Sequence, residues 1–258
     1  MAPLTLPSRD TDQLVRAPLE LVVCQVRFQA VDLRAESVFA FHAEAKGRLP
    51  ILQPAERQSA ELAIGLQPAF STQKESGWQM ASADGSWTAT LMPDSLALQT
   101  TRHTTWSSEF EPLLAQLIPA LTENVRPAVE LRVGVRYVDR LKDVSDVRPA
   151  AWRGRVRDEV LGVALHPVLG QAILSDLQQV EMEVEENRGC ILKHGLLRDP
   201  TREQAPTYFI DTDAYHLEAR PFSGEQTLST ARELHDIAVG VFQQVITPEY
   251  LAELKNPA

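Results

Sequence analysis

Three arginines occur at every fourth position of residues 130–140, a stretch with the sequence ELRVGVRYVDR. Side chains at every second position of a β-strand share one face, so Arg132, Arg136 and Arg140 are expected to point the same way. Guanidinium groups bind carboxylates and phosphates through paired hydrogen bonds. Gly134 lies among them and has no side chain to keep a ligand away from the backbone. The pattern predicts an anion-binding sheet face formed by these four residues.

A structural role for the same arginines is the alternative. The later stretch VEMEVEEN alternates apolar residues with Glu181, Glu183 and Glu185. Opposite charges that face each other on neighbouring strands stabilise a sheet by a few tenths of a kcal/mol up to about 1 kcal/mol. The arginines could therefore pair with these glutamates inside the protein and leave no site for a ligand.

Two residues could transfer protons beside an anion site, namely Asp139 on the arginine stretch and His235 on a later helix. A histidine can act as a general base when a neighbouring carboxylate orients it. Asp236 follows His235 directly, but adjacent residues on a helix point about 100° apart, so its carboxylate is poorly placed for this. A histidine that is hydrogen-bonded at the edge of the core is the alternative role for His235.

A possible metal site lies in the stretch FIDTDAYH. Asp211 and Asp213 point the same way along a strand, and His216 is near in sequence. Two carboxylates and an imidazole could bind a divalent metal ion. A DxD pair is short enough to occur by chance, and carboxylates at a strand end usually face solvent, so no metal is predicted.

The scaffold for these residues follows from the apolar periodicity. Strands are expected around Cys24, in three runs between residues 77 and 101, in the arginine stretch, and in the runs QQVEMEVEEN, RGCILKHGLL and TYFIDTDAY. Helices are expected at about residues 34–47, after Ser108 and at about residues 228–245. Asp84-Gly85 is typical of a tight hairpin turn.

The second of these helices carries two local signals. Ser108 is followed three residues later by Glu111, which is the spacing of a capping box, so the helix is predicted to begin there. Pro119 is expected to kink or shorten the helix, because proline cannot donate a backbone hydrogen bond.

The order β-β-β-α therefore occurs twice. It predicts an α+β fold of two related units, with mainly antiparallel sheets and helices packed on one face. We expect a polar N-terminal segment at residues 1–17, a first unit at 18–142, a linker at 143–155 and a second unit at 156–258, together forming one compact module.

Composition excludes several classes of protein. With 258 residues, of which 44% are hydrophobic and 23% charged, the chain is typical of globular domains. A net charge of -10 disfavours nucleic acid as a partner, since phosphate binding needs a positive surface. Cys24 and Cys190 lie in apolar strands and are expected to be buried free thiols in a reducing compartment. No leader sequence or membrane-spanning run is found, so a cytoplasmic location is predicted.

The chain resembles a sporadically distributed bacterial family of uncharacterised cytoplasmic proteins. The resemblance lies in GWQMASADGSWTATLMPDSLALQTTRHTTW, LRVGVRYVDRL, LKHGLL, YFIDTDAY and the terminal LHDIAVGVFQQVITPEYLAEL, and covers about residues 18–254. The family commonly has Asn where this chain has Asp139. The resemblance implies one module over nearly the whole chain and implies no activity.

The sharp motifs of common enzyme classes are absent from the sequence. It contains no GxxxxGK[ST], HExxH or GxSxG motif and no GxGxxG motif after a strand. The sequence thus favours a non-enzymatic binding or adaptor protein that engages a protein or small ligand. The alternative is an enzyme or sensor for an anionic small molecule or nucleotide. No cofactor or membrane partner is predicted, and a homodimer would cover exposed strand edges.

Overall fold

The structure is a computed structural model, and it describes residues 6–7, 14–63, 69–142, 148–173, 175–197 and 207–256. Within these residues it contains ten strands and five α-helices, so the predicted α+β class is confirmed. The strands are β1 (Leu19–Phe28), β2 (Ile51–Ala63), β3 (Ala69–Ala81), β4 (Trp87–Met92), β5 (Ser95–Thr100), β6 (Val129–Leu141), β7 (Asp176–Glu185), β8 (Arg188–Leu197), β9 (Thr207–His216) and β10 (Arg220–Pro221). The helices are α1 (Ala35–Ala45), α2 (Glu111–Asn124), α3 (Asp158–Leu161), α4 (Gly224–Val245) and α5 (Pro248–Lys255).

The chain divides into two compact units, and β1, β6 and α4 contribute residues to both. Unit 1 consists of Met1–Val23, Gly134–Leu217 and Thr230–Ala258, and unit 2 consists of Cys24–Val133 and Glu218–Ser229. The predicted limits along the chain and the internal duplication stay predictions. Much of the predicted N-terminal segment, and residues 143–147 of the predicted linker, lie outside the described residues.

Unit 2 contains the predicted β-meander. Strands β3, β4 and β5 pair antiparallel in chain order, and β2 pairs with β3. The β3–β4 turn contains Gly85 at a φ of 72°, a value that favours glycine. The Asp84 carboxylate accepts hydrogen bonds from the hydroxyls of Ser82 and Ser86 and holds this turn together. The Asp-Gly signal therefore located the hairpin correctly.

Helix α2 of unit 2 begins differently from its prediction. A π-helical turn, Trp106–Phe110, precedes it, and the Thr105 hydroxyl accepts a hydrogen bond from the backbone N–H of Ser108. The predicted helix start at Ser108 is therefore wrong, because the helical turn begins at Trp106 with Thr105 as its cap, and Ser108 lies inside that turn. Pro119 lies inside α2, which still continues to Asn124.

Unit 1 has the strand order β1-β6-β9-β8-β7. Only the first residues of β1, up to Val23, and the last residues of β6, from Gly134, belong to this unit. The pairs β7–β8 and β8–β9 are antiparallel. Helix α4 contributes a buried stripe at helical spacing, made of Ala231, Leu234, Ala238, Val241 and Val245. Strand β7 is last in this order, so one of its edges has no strand partner in the part of the chain that the structure describes.

The alternation of side chains gives the strands of unit 1 one apolar side and one polar side. Cys190, Leu192 and Leu196 of β8 are buried, as are Ile210 and Ala214 of β9. The intervening positions include the charged residues Lys193, Asp211 and Asp213. No helix among the described residues is long and apolar enough to cross a membrane.

Candidate functional site

Arg136 on β6 is held by a carboxylate of the next strand. Its Nε and Nη2 each donate a hydrogen bond of 2.7 Å to an oxygen of Asp211 on β9. The side chain of Asp211 is only 4% exposed, whereas that of Arg136 is 45% exposed. A paired bond of this kind fixes the guanidinium plane and compensates the buried negative charge. The hydrogen bonds that Arg136 donates to Asp211 raise the pKa of Arg136 further above its usual value.

Arg140, two positions further along the same face, binds a carboxylate of the strand on the other side. Its Nε donates a 2.7 Å hydrogen bond to Glu20 on β1, and Lys142 donates to the other oxygen of Glu20. Partial burial alone would raise the pKa of Glu20, but these hydrogen bonds outweigh it and lower the pKa. Two of the three arginines that were predicted to bind an anion therefore already bind carboxylates of unit 1.

The other two residues of the predicted anion face have different surroundings. Gly134 is buried in unit 1. Arg132 belongs to unit 2 and is half-buried, and its charge acts on the thiol of Cys24. Burial nevertheless raises the pKa of Cys24 to about 12, so this cysteine is an unreactive core residue. The four predicted residues are therefore divided between the two units.

The predicted pairing of the arginines with the glutamates of VEMEVEEN is wrong. Glu181, Glu183 and Glu185 lie on β7, and strands β8 and β9 separate β7 from β6. Arg136 and Arg140 are instead paired with Asp211 and Glu20, on the two strands that flank β6. A structural role for the arginines agrees with the geometry, although with other acids.

Asp139 is a buried acid with no such compensation. Its side chain is 5% exposed, and no residue in the described part of the chain forms a hydrogen bond or ion pair with its carboxyl group. Burial, followed by repulsion from Asp211 and Glu20, raises the pKa of Asp139 to about 8. The group therefore carries a proton at neutral pH, because ionisation would leave a third negative charge beside two others.

His235 on α4 lies next to β6. Its Nδ1 is 2.7 Å from the hydroxyl oxygen of Tyr137, a residue that is only 6% exposed. Its Nε2 is 4.0 Å from the Asp236 carboxylate, too far for a hydrogen bond. This geometry agrees with a hydrogen-bonded histidine at the edge of the core, and the sequence correctly discounted Asp236 as an orienting group.

The residues of the possible metal site do not converge. Asp211 binds Arg136, and Asp213 shares its side of β9. His216 is an odd number of positions away, so alternation places it on the opposite side of the strand, where it is buried. Among the described residues there is no group of three histidine, cysteine or acidic side chains arranged to bind a metal ion.

Unit 2 contains a cavity of about 380 Å³ beside the Asp84 turn, lined in part by Trp87, Arg102 and His103. An exposed indole beside arginines is a feature of sites that stack planar ligands. Here the guanidinium of Arg48 lies 5.3 Å from the centre of the Trp87 ring, and Phe110 packs at 5.8 Å. The ring of Trp87 is thus already in contact with the protein's own side chains.

The edge strand β7 was not predicted as a site, yet it is the most open strand of unit 1. Gln179, Val180 and Glu181 are consecutive and all exposed, so neither side of the strand is covered at its centre. Leu177 is 63% and Val180 45% exposed. Glu183 is also exposed and has no hydrogen-bond or ion-pair partner among the described residues. The sequence places the apolar residues Leu177 and Val180 beside acidic residues. Recognising them as exposed requires knowing that β7 lies at the edge of the sheet.

The acidic side of β7 is organised by a cross-strand contact. The Tyr215 hydroxyl of β9 donates a 2.6 Å hydrogen bond to Glu181 by passing over Gly189 of β8. A Cβ atom at Gly189 would lie 2.5 Å from that hydroxyl oxygen, so the contact requires glycine at this position. Glu185 pairs with Arg188 across the β7–β8 turn. Glu183, between these two, faces solvent.

Exposed apolar residues are frequent in the chain just before β7 and on β7 itself. Ten large hydrophobic side chains are exposed in the described part of the chain, and five of them lie between residues 163 and 180. These five are Val163, Val168, Leu169, Leu177 and Val180, of which the last two belong to β7. Single exposed apolar residues are common on protein surfaces.

Comparisons with known proteins do not identify the chain. Neither the search with protein-family models nor the search of curated proteins found a match. The resemblance to a bacterial family therefore stays a prediction.

Proposed function

We propose that this chain is a non-enzymatic protein-binding module that engages its partner through the open edge of β7. The observation that carries the proposal is the exposure of three consecutive residues, Gln179, Val180 and Glu181, on a strand that has no partner on one edge among the described residues. An unpaired edge offers backbone N–H and C=O groups to a further strand, and exposed side chains on both sides add specificity.

The chemical groups of unit 1 support a binding role over catalysis. Arg136 and Arg140 are engaged by carboxylates, and the His235 imidazole is engaged by Tyr137. Burial raises the pKa of Cys190 to about 12, which removes its thiolate at neutral pH. These contacts stabilise the fold and leave the charged groups poorly placed to act on a substrate.

Site-specific photo-crosslinking tests this function. A photoreactive amino acid at Val180 is expected to form a discrete adduct with one partner protein in native cells, and mapping should locate the adduct in a single segment of that partner. The same amino acid at Phe39, which is 55% exposed on α1, is the control and should not form it.

A second substitution separates specific binding from chance capture. Leu177→Lys should reduce the adduct formed at Val180, because it replaces an exposed apolar side chain of the edge with a charged one. Val15→Lys changes a side chain of similar exposure, 60% against 63%, outside β7 and should leave the yield unchanged. No adduct at Val180, or equal yields with the two substitutions, would contradict the proposal.

A sensor for an anionic small molecule is the second candidate, and one observation favours it. Asp211 and Glu20 hold two guanidinium groups on one side of β6, and the Arg136 side chain remains 45% exposed. A fixed, partly exposed guanidinium can donate its remaining N–H groups to a phosphate. Phosphate-bearing ligands should then raise the melting temperature of the wild type more than that of Arg136→Lys, and equal shifts would remove this candidate.

We also infer a reducing compartment such as the cytoplasm, because Cys24 and Cys190 are both buried free thiols. Labelling of intact cells with a membrane-impermeant reagent should leave the chain unmodified until the cells are lysed.

A further inference from the structure

We propose that the occupant of the β7 edge is an extended basic segment, in which apolar residues alternate with lysine or arginine. This inference rests on the proposed function and adds the chemical class of the partner. An added strand would face different side chains on the two sides of β7.

One side of β7 presents acidic groups to an added strand. Alternation places Glu181 and Glu183 on the same side, and both are exposed, whereas Glu185 lies beyond a register shift and is paired with Arg188. Glu181 accepts a hydrogen bond from a neutral tyrosine, which leaves its charge uncompensated, and Glu183 has no partner among the described residues. Opposite charges at cross-strand positions stabilise pairing and like charges oppose it. Basic residues are therefore favoured at the facing positions of the partner.

The other side of β7 presents apolar side chains, and their burial decreases from Val184 toward the start of the strand. Val184 is 7% exposed, Met182 is half-buried and Val180 is 45% exposed. Apolar side chains of an added strand would cover this side, since successive residues of a strand point to opposite faces. The combination of both sides selects an alternating apolar and basic sequence.

Charge also argues against two other occupants. The chain has a net charge of -10, so a second copy of it would bring an equally acidic surface to an acidic edge. An acidic or neutral peptide would leave the carboxylates of Glu181 and Glu183 without compensation in a partly dehydrated interface. A basic segment is the occupant for which the two surfaces are complementary.

The test uses purified full-length chain and three labelled seven-residue peptides with blocked ends. They alternate valine with lysine, with glutamate or with serine, and binding is measured by fluorescence anisotropy at low and high salt. The lysine peptide should bind most tightly, and its affinity should decrease as salt increases. Equal binding of the serine or glutamate peptide overturns the basic class and leaves the β7 function standing.

A charge-reversed edge shows whether the lysine peptide binds at β7. The double variant Glu181→Lys/Glu183→Lys should bind it about fivefold more weakly, as expected for the loss of two exposed charge pairs. The control Glu36→Lys/Glu44→Lys changes two exposed acids of α1 and alters the net charge equally. Equal weakening in both variants, or no binding by the wild type, overturns the inference.

The remaining occupant is tested separately by sedimentation. If a second copy occupies the edge, the wild type dimerises and Val180→Lys restores the monomer, and this result also overturns the inference. Failure of the proposed function gives a different result. No adduct then forms at Val180 in the photo-crosslinking experiment, which does not use the peptides.

Discussion

Strands β6 and β7 belong to the same unit but differ in how their charges are compensated. On β6, Arg136 and Arg140 bind Asp211 and Glu20 of the flanking strands. On β7, Glu183 stands in solvent with no partner among the described residues. A buried charge is tolerated only when it is paired, whereas an exposed charge at an edge costs little to leave open. The two strands therefore differ in that the arginines of β6 are paired inside unit 1, whereas Glu183 of β7 is exposed and unpaired among the described residues.

Asp139 shows the other way in which β6 avoids an uncompensated charge. Asp211 and Asp139 are buried to a similar extent, at 3% and 5% exposure. Asp211 accepts two hydrogen bonds from the Arg136 guanidinium, while Asp139 lacks a cation and its raised pKa keeps it protonated at neutral pH. The same residue type on adjacent strands is therefore accommodated in two ways, because only one of the two has a basic partner.

The largest expected effect comes from Asp139→Asn, and it depends on pH. An aspartate in an unfolded chain has a pKa near 3.9, whereas the folded pKa is about 8. Between these values the folded state holds a proton that the unfolded state has lost, so wild-type stability falls by up to about 1.4 kcal/mol per pH unit as pH rises. Asparagine does not titrate, and the variant should gain several kcal/mol over the wild type by pH 8.

Urea unfolding measured across this pH range checks the prediction. The free energies of unfolding of variant and wild type should be similar near pH 4 and diverge steadily above it. Glu44→Gln, an exposed acid on α1, is the control and should follow the wild type at every pH. Parallel pH profiles for Asp139→Asn and the wild type would show that Asp139 is ionised in the folded protein.

Arg136→Ala should have the next largest effect, a loss of about 3 kcal/mol in the free energy of unfolding. The substitution leaves the buried Asp211 carboxylate without its cation, which costs about 3–5 kcal/mol in fully buried pairs and somewhat less where one partner is half-exposed. Arg153→Ala removes a pair whose members are 64% and 53% exposed, and it should change stability by less than about 1 kcal/mol. Similar losses in both variants would mean that the Arg136 pair does not stabilise β6.

Gly189→Ala is expected to cost about 1–2 kcal/mol, a typical value for an overpacked site. The added Cβ would lie 2.5 Å from the Tyr215 hydroxyl and 3.0 Å from the Met182 carbonyl oxygen, so the contact with Glu181 must break. Gly47→Ala is the control, because no atom lies within 4 Å of a Cβ at that position. Thermal unfolding of both variants measures the difference, and an unchanged Gly189→Ala would show that Tyr215 does not depend on this close approach.

Glu183→Gln should have the smallest effect on stability and a selective effect on binding. It changes an exposed side chain without a partner, so the free energy of unfolding should stay within about 0.5 kcal/mol of the wild type. Binding of the alternating lysine and valine peptide should weaken about twofold, because one exposed charge pair is lost. A destabilised variant, or one with unchanged binding, would remove the distinction between β6 and β7.

Local signals in the sequence predicted much of the fold and little of the charge pairing or of the exposed edge strand. The Asp84-Gly85 turn and the arginine strand follow from near neighbours in the chain, and both lie where they were expected. The start of α2 was missed because Thr105 and Ser108 both have hydroxyls that can cap a helix. Such errors come from competition between equivalent local contacts.

The partners of the arginines depend on strand order, which no local pattern contains. Asp211 is 75 residues from Arg136 along the chain, and Glu20 is 120 residues from Arg140. The stretch around Glu181 had the more regular acidic pattern, yet two strands separate it from β6. The raised pKa of Asp139 likewise depends on two acids that only the fold brings near.

Hydrogen exchange at β7 tests the central claim most directly. In the free protein, alternate backbone amides of residues 177–185 should exchange much faster than those of β8, because one edge of β7 is unpaired and β8 is paired on both sides. With the crosslinked partner or the basic peptide bound, those amides should become protected while β8 changes little. Slow exchange of all β7 amides in the free protein, or no added protection on binding, would contradict the account.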